Sequence, residues 1–182
     1  GSDELIAVSD GGEKDKLPTG EVCGKFVEIY RNFSIVEGMI SVEDTPDYSF
    51  DFSNIKPSKV CLGDVNGDGK TDISIVMYKS VKFHKVLAKR PFFYDFESEK
   101  LQPLWLGSRL SRPFDDYILK DVNDDGIVDI VALSDSSMLF IYDGQTGNII
   151  RREILGGVIS EMTPLVADLT GNGKKDIVVC SE

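Results

Sequence analysis

Three segments of the chain carry oxygen-bearing side chains at one fixed spacing: Asp64-Val-Asn-Gly-Asp-Gly-Lys-Thr-Asp72, Asp121-Val-Asn-Asp-Asp-Gly-Ile-Val-Asp129 and Asp168-Leu-Thr-Gly-Asn-Gly-Lys-Lys-Asp176. Oxygens fall at positions 1, 3, 5 and 9, with glycine at position 6. Hard divalent cations such as calcium take about six to eight oxygen ligands, from carboxylates, amides, carbonyls and water. A tightly curled loop can aim alternate side chains at one centre, and a glycine permits the sharp turn. The first segment offers Asp64, Asn66, Asp68 and Asp72, with the Lys70 carbonyl at position 7. The second offers Asp121, Asn123, Asp125 and Asp129 with the Ile127 carbonyl. The third offers Asp168, Thr170, Asn172 and Asp176 with the Lys174 carbonyl. Ligand charge is −3, −3 and −2, so up to three calcium ions are expected, the third held most weakly. Asp, Asn and Gly also make simple turns on steric grounds. A single copy would not separate the two readings, whereas three copies at one spacing favour ion loops.

The flanking residues say what must position these loops. An EF-hand would close on a Glu at position 12 and continue as a helix. Here that position holds Ile75, Ala132 and Val179, inside the β-branched runs Ile73–Val76, Ile130–Leu133 and Ile177–Cys180. Such runs read as buried strands. Apolar residues also precede each loop: Val60–Leu62, Tyr117–Leu119 and Leu165–Ala167. The unit is strand, loop, strand. After the second loop, Met138–Asp143 and Asn148–Ile154 flank Gly-Gln-Thr-Gly147 and read as a hairpin. Phe92–Asp95 with Leu101–Trp105 is the equivalent pair after the first, and Phe26–Tyr30 with Ser34–Val36 another. Glu4–Val8 aligns with Asp72–Val76. With strands labelled A (before the loop), B, C and D, the chain reads BCD, ABCD, ABCD, AB. Residues 9–25 and 77–91 are longer insertions between B and C, and residues 37–59 fit no part of the repeat.

Four-stranded repeats of roughly 40–50 residues are the sequence signature of β-propeller blades. The pattern D-x-N-x-D-G-x-x-D-I between apolar strands resembles the FG-GAP (integrin α-like, also called VCBS-type) repeat family, over most of residues 60–182 and more weakly over 4–36. That resemblance implies an all-β, propeller-like array with calcium loops joining strands A and B at the rim. The expected organisation is one β-repeat domain over residues 3–182, with units near 3–59, 60–116, 117–163 and 164–182 and Gly1-Ser2 as an expression scar. About three blades fall short of the four to eight of a closed propeller. The array is therefore an excerpt of a longer one or an incomplete ring packed on itself.

Composition narrows the partners. The 182 residues carry 20 Lys and Arg against 31 Asp and Glu, a net charge of −11. The proposed ligands include eight of those acids, so most of the excess sits in the three loops. Nucleic acid and anionic lipid need a cationic face and are not expected partners. No apolar run approaches the roughly 18 residues of a membrane span, and membrane insertion is not expected. Three cysteines without a CxxC pair, and a single histidine, argue against zinc and against a disulfide framework.

Other conspicuous residues favour structural roles. His84, with no partner motif for catalysis, reads as an exposed polar residue in a locally basic insertion. Cys61 and Cys180 take the places of core aliphatics in other copies, and Cys23 lies in an irregular stretch. Tyr30, Tyr94 and Tyr142 recur in strand C and read as packing residues. Trp105–Asp116 holds the only Trp with Arg109, Arg112 and Phe114. This composition suits a binding hot spot or a plug between repeats paired through Asp115 or Asp116. The expectation is a non-catalytic calcium-binding module, not an enzyme, serving as an adhesion or recognition scaffold of an exported or cell-surface protein. Its partners would be calcium and a protein or glycan ligand. The alternative is an accessory or carbohydrate-binding module of a secreted polysaccharide-active enzyme.

Overall fold

The computed structural model describes residues 3–42, 45–82, 84–104, 114–134, 137–157 and 162–180. Their strands are β1 (Leu5–Ser9), β2 (Asp15–Lys16), β3 (Val22–Cys23), β4 (Phe26–Tyr30), β5 (Phe33–Val36), β6 (Met39–Val42), β7 (Tyr48–Asp51), β8 (Pro57–Gly63) and β9 (Asp72–Val81), followed by β10 (His84–Glu97), β11 (Lys100–Pro103), β12 (Asp116–Lys120), β13 (Asp129–Leu133), β14 (Met138–Tyr142), β15 (Ile149–Ile154), β16 (Leu165–Ala167) and β17 (Asp176–Val178). One 3₁₀ turn at Ser53–Ile55 is the only helical element among the described residues. The chain is all-β.

Four antiparallel sheets follow one another along the sequence: β1-β4-β7, then β11-β10-β9-β8, then β12-β13-β14-β15, then β16-β17. The two middle sheets are complete four-stranded meanders. Each acidic segment joins the first two strands of a sheet, as the flanking apolar runs require.

Alternation explains how the sheets pack. Successive side chains of a strand face opposite sides, and the central strands are apolar on both. On β9, Ile73, Ile75 and Met77 join Val27 and Ile29 of β4 in one core, together with Phe92. Val76, on the other face, joins Phe93, Tyr117, Ile130, Ala132, Phe140 and Tyr142 in the next. Val131 and Leu133 of β13 then face Val166, Ile177 and Val179 across a third. Each middle sheet is thus sandwiched between its neighbours, and β13 is buried along its whole length. Of the three tyrosines expected to recur in strand C as packing residues, two pack this way, while Tyr30 is half-buried with its hydroxyl donating to Glu28 at 3.0 Å. Tyr94 lies against the core shared with the first sheet and Tyr142 in the core shared with the second.

Three local expectations are corrected. The partner of β4 is β7, not Ser34–Val36. Glu37 and Gly38 have positive φ (52° and 79°), so Val36 turns directly onto Met39 and β5 pairs with β6 instead. Two adjacent positive-φ residues make the tight hairpin turn that matches strand twist. Residues 37–59, unassigned from sequence, therefore supply β6, β7 and the start of β8. Residues 77–91 form no separate insertion: β9 and β10 run on past the sheet as a long hairpin, with a bulge between His84 and Ala88. His84 is half-buried rather than exposed, and its Nδ1 meets the guanidinium of the fully buried Arg90.

Cys23 is buried, Cys61 half-buried and Cys180 exposed. Cys180, expected in the core, is exposed: it lies two residues beyond the end of β17 and outside any described strand. Trp105, Arg109 and Arg112 lie outside the described residues. Phe114 is buried beside Tyr117, their rings edge to face at 5.2 Å. The ammonium on Asp116 is that of Lys59, at 2.7 Å.

Candidate metal centres

The three acidic loops share one internal hydrogen-bond pattern. The carboxylate at position 1 accepts from the backbone ahead of it. Asp64 Oδ2 takes the Gly69 N–H at 2.8 Å, Asp121 Oδ2 the Gly126 N–H at 2.9 Å and Asp168 Oδ2 the Gly173 N–H at 2.7 Å. The other oxygen accepts from Gly67, Asp124 or Asn172 at 2.7–3.1 Å. Position 5 accepts from position 7: Lys70 N–H to Asp68, Ile127 N–H to Asp125 and Lys174 N–H to Asn172. In the first two loops the Asn at position 3 accepts from position 5, Asp68 N–H to Asn66 and Asp125 N–H to Asn123. The aspartate at position 9 reaches back to position 2 in all three: Val65 N–H to Asp72 at 2.9 Å, Val122 N–H to Asp129 at 3.1 Å and Leu169 N–H to Asp176 at 3.0 Å. Short polar side chains competing for local amides hold the chain in this curl.

The curl needs left-handed backbone at position 4, where Gly67 and Gly171 have φ of 76° and 69°. In the second loop Asp124 occupies that position at φ 61°. Asp tolerates this region better than most residues.

The donor atoms differ in what remains available. Among the described residues no three His, Cys, Asp or Glu side chains are grouped to hold a metal ion. The loop carboxylates are instead turned onto amides of their own loops. One such bond does not exhaust a carboxylate, which has about four lone-pair sites. Asp72 is the decisive case. It is fully buried, its Oδ2 is used by Val65, and its Oδ1 has no hydrogen-bond partner. Burial, and then the nearby Asp68, Asp64 and Asp95 carboxylates, push its pKa up to about 6. A buried carboxylate oxygen facing other anions without a donor is unfavourable unless a cation completes it. The residues of the first loop therefore fit a hard cation.

The second loop is similar but better satisfied. Asp129 is buried, which raises its pKa, yet Oδ1 accepts the Gly144 N–H at 3.3 Å. In the third loop positions 1–7 are exposed and the Asp168 carboxyl is held below its usual range by amides of Gly173 and Asn172. Thr170 and Asn172 replace Asn and Asp there. The third loop has the weakest electrostatic demand for an ion.

Four features of these sites were not foreseen from the sequence. Asp95 of β10 adds a fourth acid near Asp72. Gly144 supplies an amide to Asp129 and has no room for a side chain, since a Cβ there would stand 1.8 Å from the Val128 carbonyl oxygen. The first and second loops touch, the Val128 N–H donating to the Asp64 carbonyl at 3.0 Å. Lys175 of the third loop lies 3.2 Å from Asp124 of the second. The one sequence signal for any of them was Asp124 standing where the other copies have glycine.

No curated protein matches the chain. Residues 121–179 match the family model described as FG-GAP-like repeat. That stretch runs from Asp121 of the second loop through the third, with the strands between and after them. Over this stretch the chain is similar to FG-GAP-like repeats, in agreement with the resemblance carried by the loop pattern.

Proposed function

We propose that the chain is a non-catalytic, calcium-binding β-repeat module, with its sheets arranged as propeller-like blades and calcium held between the first two strands of each. The observation that carries this is the orphaned, fully buried Oδ1 of Asp72 beside Asp64 and Asp68. Asp64, Asn66, Asp68 and Asp72 with the Lys70 carbonyl would hold the first ion, and Asp121, Asn123, Asp125 and Asp129 with the Ile127 carbonyl the second. Asp168, Thr170, Asn172 and Asp176 with the Lys174 carbonyl would hold the third and weakest. Calcium would supply only charge neutralisation and a fixed centre. The residues do the rest, by pinning the loop that connects the first two strands of each sheet, so that ion binding adds to folding stability.

Modules of this kind suit the extracellular range, where sites of about 10⁻⁴–10⁻³ M affinity are filled. The reading therefore places the chain in an exported or cell-surface protein, as a scaffold for adhesion or recognition. Calorimetric titration of the calcium-free protein tests it. Two sites with a weaker third are expected, and no heat of binding at millimolar calcium would refute it.

One observation favours the second reading, an accessory glycan-binding module. A polar cavity of about 760 Å³ lies at the end of the sheets away from the loops, lined by Lys59, Lys89, Glu21, Asp115, Asp116 and Thr163 among others. Paired ammonium and carboxylate groups can serve sugar hydroxyls, which both donate and accept. Binding on a glycan array would favour this reading, and capture of a protein ligand the first.

A further inference from the structure

The geometry points to energetic coupling between the first two loops, carried by the single peptide group that joins Ile127 to Val128. This inference rests on the calcium reading of those loops. The Ile127 carbonyl is the candidate backbone ligand of the second loop. The N–H of that same peptide, on Val128, donates to the carbonyl of Asp64 at 3.0 Å. Asp64 is in turn the first residue of the first loop, with both carboxylate oxygens fixed on its amides.

A peptide group is planar and rigid. A carbonyl that shares electron density with a cation leaves the N–H of its own peptide a stronger donor, the polarisation familiar from hydrogen-bond chains. Engagement of the Ile127 carbonyl therefore strengthens the hold of Val128 on Asp64 and restricts Asp64 to the position its loop needs. The reverse holds equally, since coupling between two sites is reciprocal.

The surroundings leave this peptide little freedom. A side chain at Gly63 would stand 2.7 Å from Val128 Cγ2, and one at Gly67 would stand 3.0 Å from Ile127 Cδ1. Gly144 fits against the carbonyls of Val128 and Val65 while its amide donates to Asp129. Val65 donates to Asp72. The position-9 aspartates of both loops thus meet around one packed backbone junction. The third loop contacts the second through the partly exposed Lys175–Asp124 ion pair. Such pairs are worth little and are screened by salt. Coupling is therefore expected between loops one and two and not between either and loop three.

The test is a calcium titration of the 182-residue chain, followed site by site through the backbone amide resonances of Gly69, Gly126 and Gly173. Asp125→Asn and Asp68→Asn each weaken one loop at an exposed position, keeping the oxygen that accepts from position 7. Coupling predicts that Asp125→Asn lowers affinity at the first loop about fivefold or more, the lower end of usual coupling. Asp68→Asn should lower affinity at the second loop by the same factor. Asn172→Ala in the third loop should leave both unchanged within about twofold. In the wild type, the Val128 amide resonance should move downfield as the second loop fills. First-loop affinity unchanged in Asp125→Asn, with the second loop demonstrably weakened, would overturn the coupling and leave the calcium reading standing. No calcium-dependent shift at any of the three glycines would overturn both.

Discussion

The Asp124 carboxylate sits 3.2 Å from the Lys175 ammonium, bridging the second and third acidic loops. Asp124 holds a left-handed backbone, φ 61°, at the position where the other two loops have glycine. The strain and the ion pair oppose each other. Asp124→Gly relieves about 1 kcal/mol of backbone cost and loses an exposed pair worth about 0–1 kcal/mol. Denaturant unfolding should show a change within about 1 kcal/mol of zero. A loss above about 2 kcal/mol would mean the pair does more than an exposed pair can.

Asp72 makes stability depend on pH in the absence of calcium. Its folded pKa, about 6, lies above the ordinary aspartate value of 3.8. The folded state therefore binds a proton more readily than the unfolded one, and stability falls as pH rises from about 4 through 6. The same direction holds for Asp129, raised by burial. In chelator the protein should melt higher at pH 5 than at pH 7. Calcium at pH 7 should remove that difference, because the cation replaces the proton.

Asp72→Asn tests the same atom without changing pH. An amide in place of the carboxylate removes the charge that burial penalises. In chelator at pH 7 the variant should melt above wild type, by about 2–4 °C for each kcal/mol gained in a chain of this size. It should also lose calcium binding at the first loop.

Gly144 is required by close approach and not by φ. A methyl group there would meet the Val128 carbonyl oxygen at 1.8 Å, a backbone atom that cannot rotate away. Gly144→Ala should cost more than about 3 kcal/mol, in the range of severe overpacking, and should disturb the amide bond to Asp129. Chemical denaturation measures it directly.

Ser74 and Tyr117 share a 2.6 Å hydrogen bond between two sheets, both residues fully buried. Burial raises the Tyr117 pKa well above its usual value, so the phenol stays protonated. Tyr117→Phe leaves the Ser74 hydroxyl without that partner and should cost about 1–3 kcal/mol. Adding Ser74→Ala should recover part of the loss, and a fully additive double variant would contradict the pairing.

Much of this fold is legible in local sequence, and the exceptions have physical causes. The β-branched runs after each loop have no rival structure, and Ile73–Val76 and Ile130–Leu133 form the central strands expected of them. The first sheet departs from its local sequence pattern where a local turn competes with a distant partner. Glu37-Gly38 closes β5 onto β6, and only the full chain shows Tyr48–Asp51 returning to β4. The recurrence of one loop geometry was legible from spacing alone. The contacts between loops were not, because Val128 and Asp64 lie far apart in sequence and their bond is made by backbone atoms. Asp95 was invisible for a similar reason, since nothing in its own segment marks it as facing Asp72.

The most direct test is thermal unfolding at pH 7 with millimolar calcium and again with chelator. Ions that complete Asp72 and Asp129 must stabilise the folded chain, each by about 1.4 kcal/mol when free calcium is about tenfold above that site's dissociation constant. The melting temperature should rise clearly with calcium, and Asp72→Asn should blunt the rise. Superimposable melting curves would contradict the assignment of these loops as calcium sites.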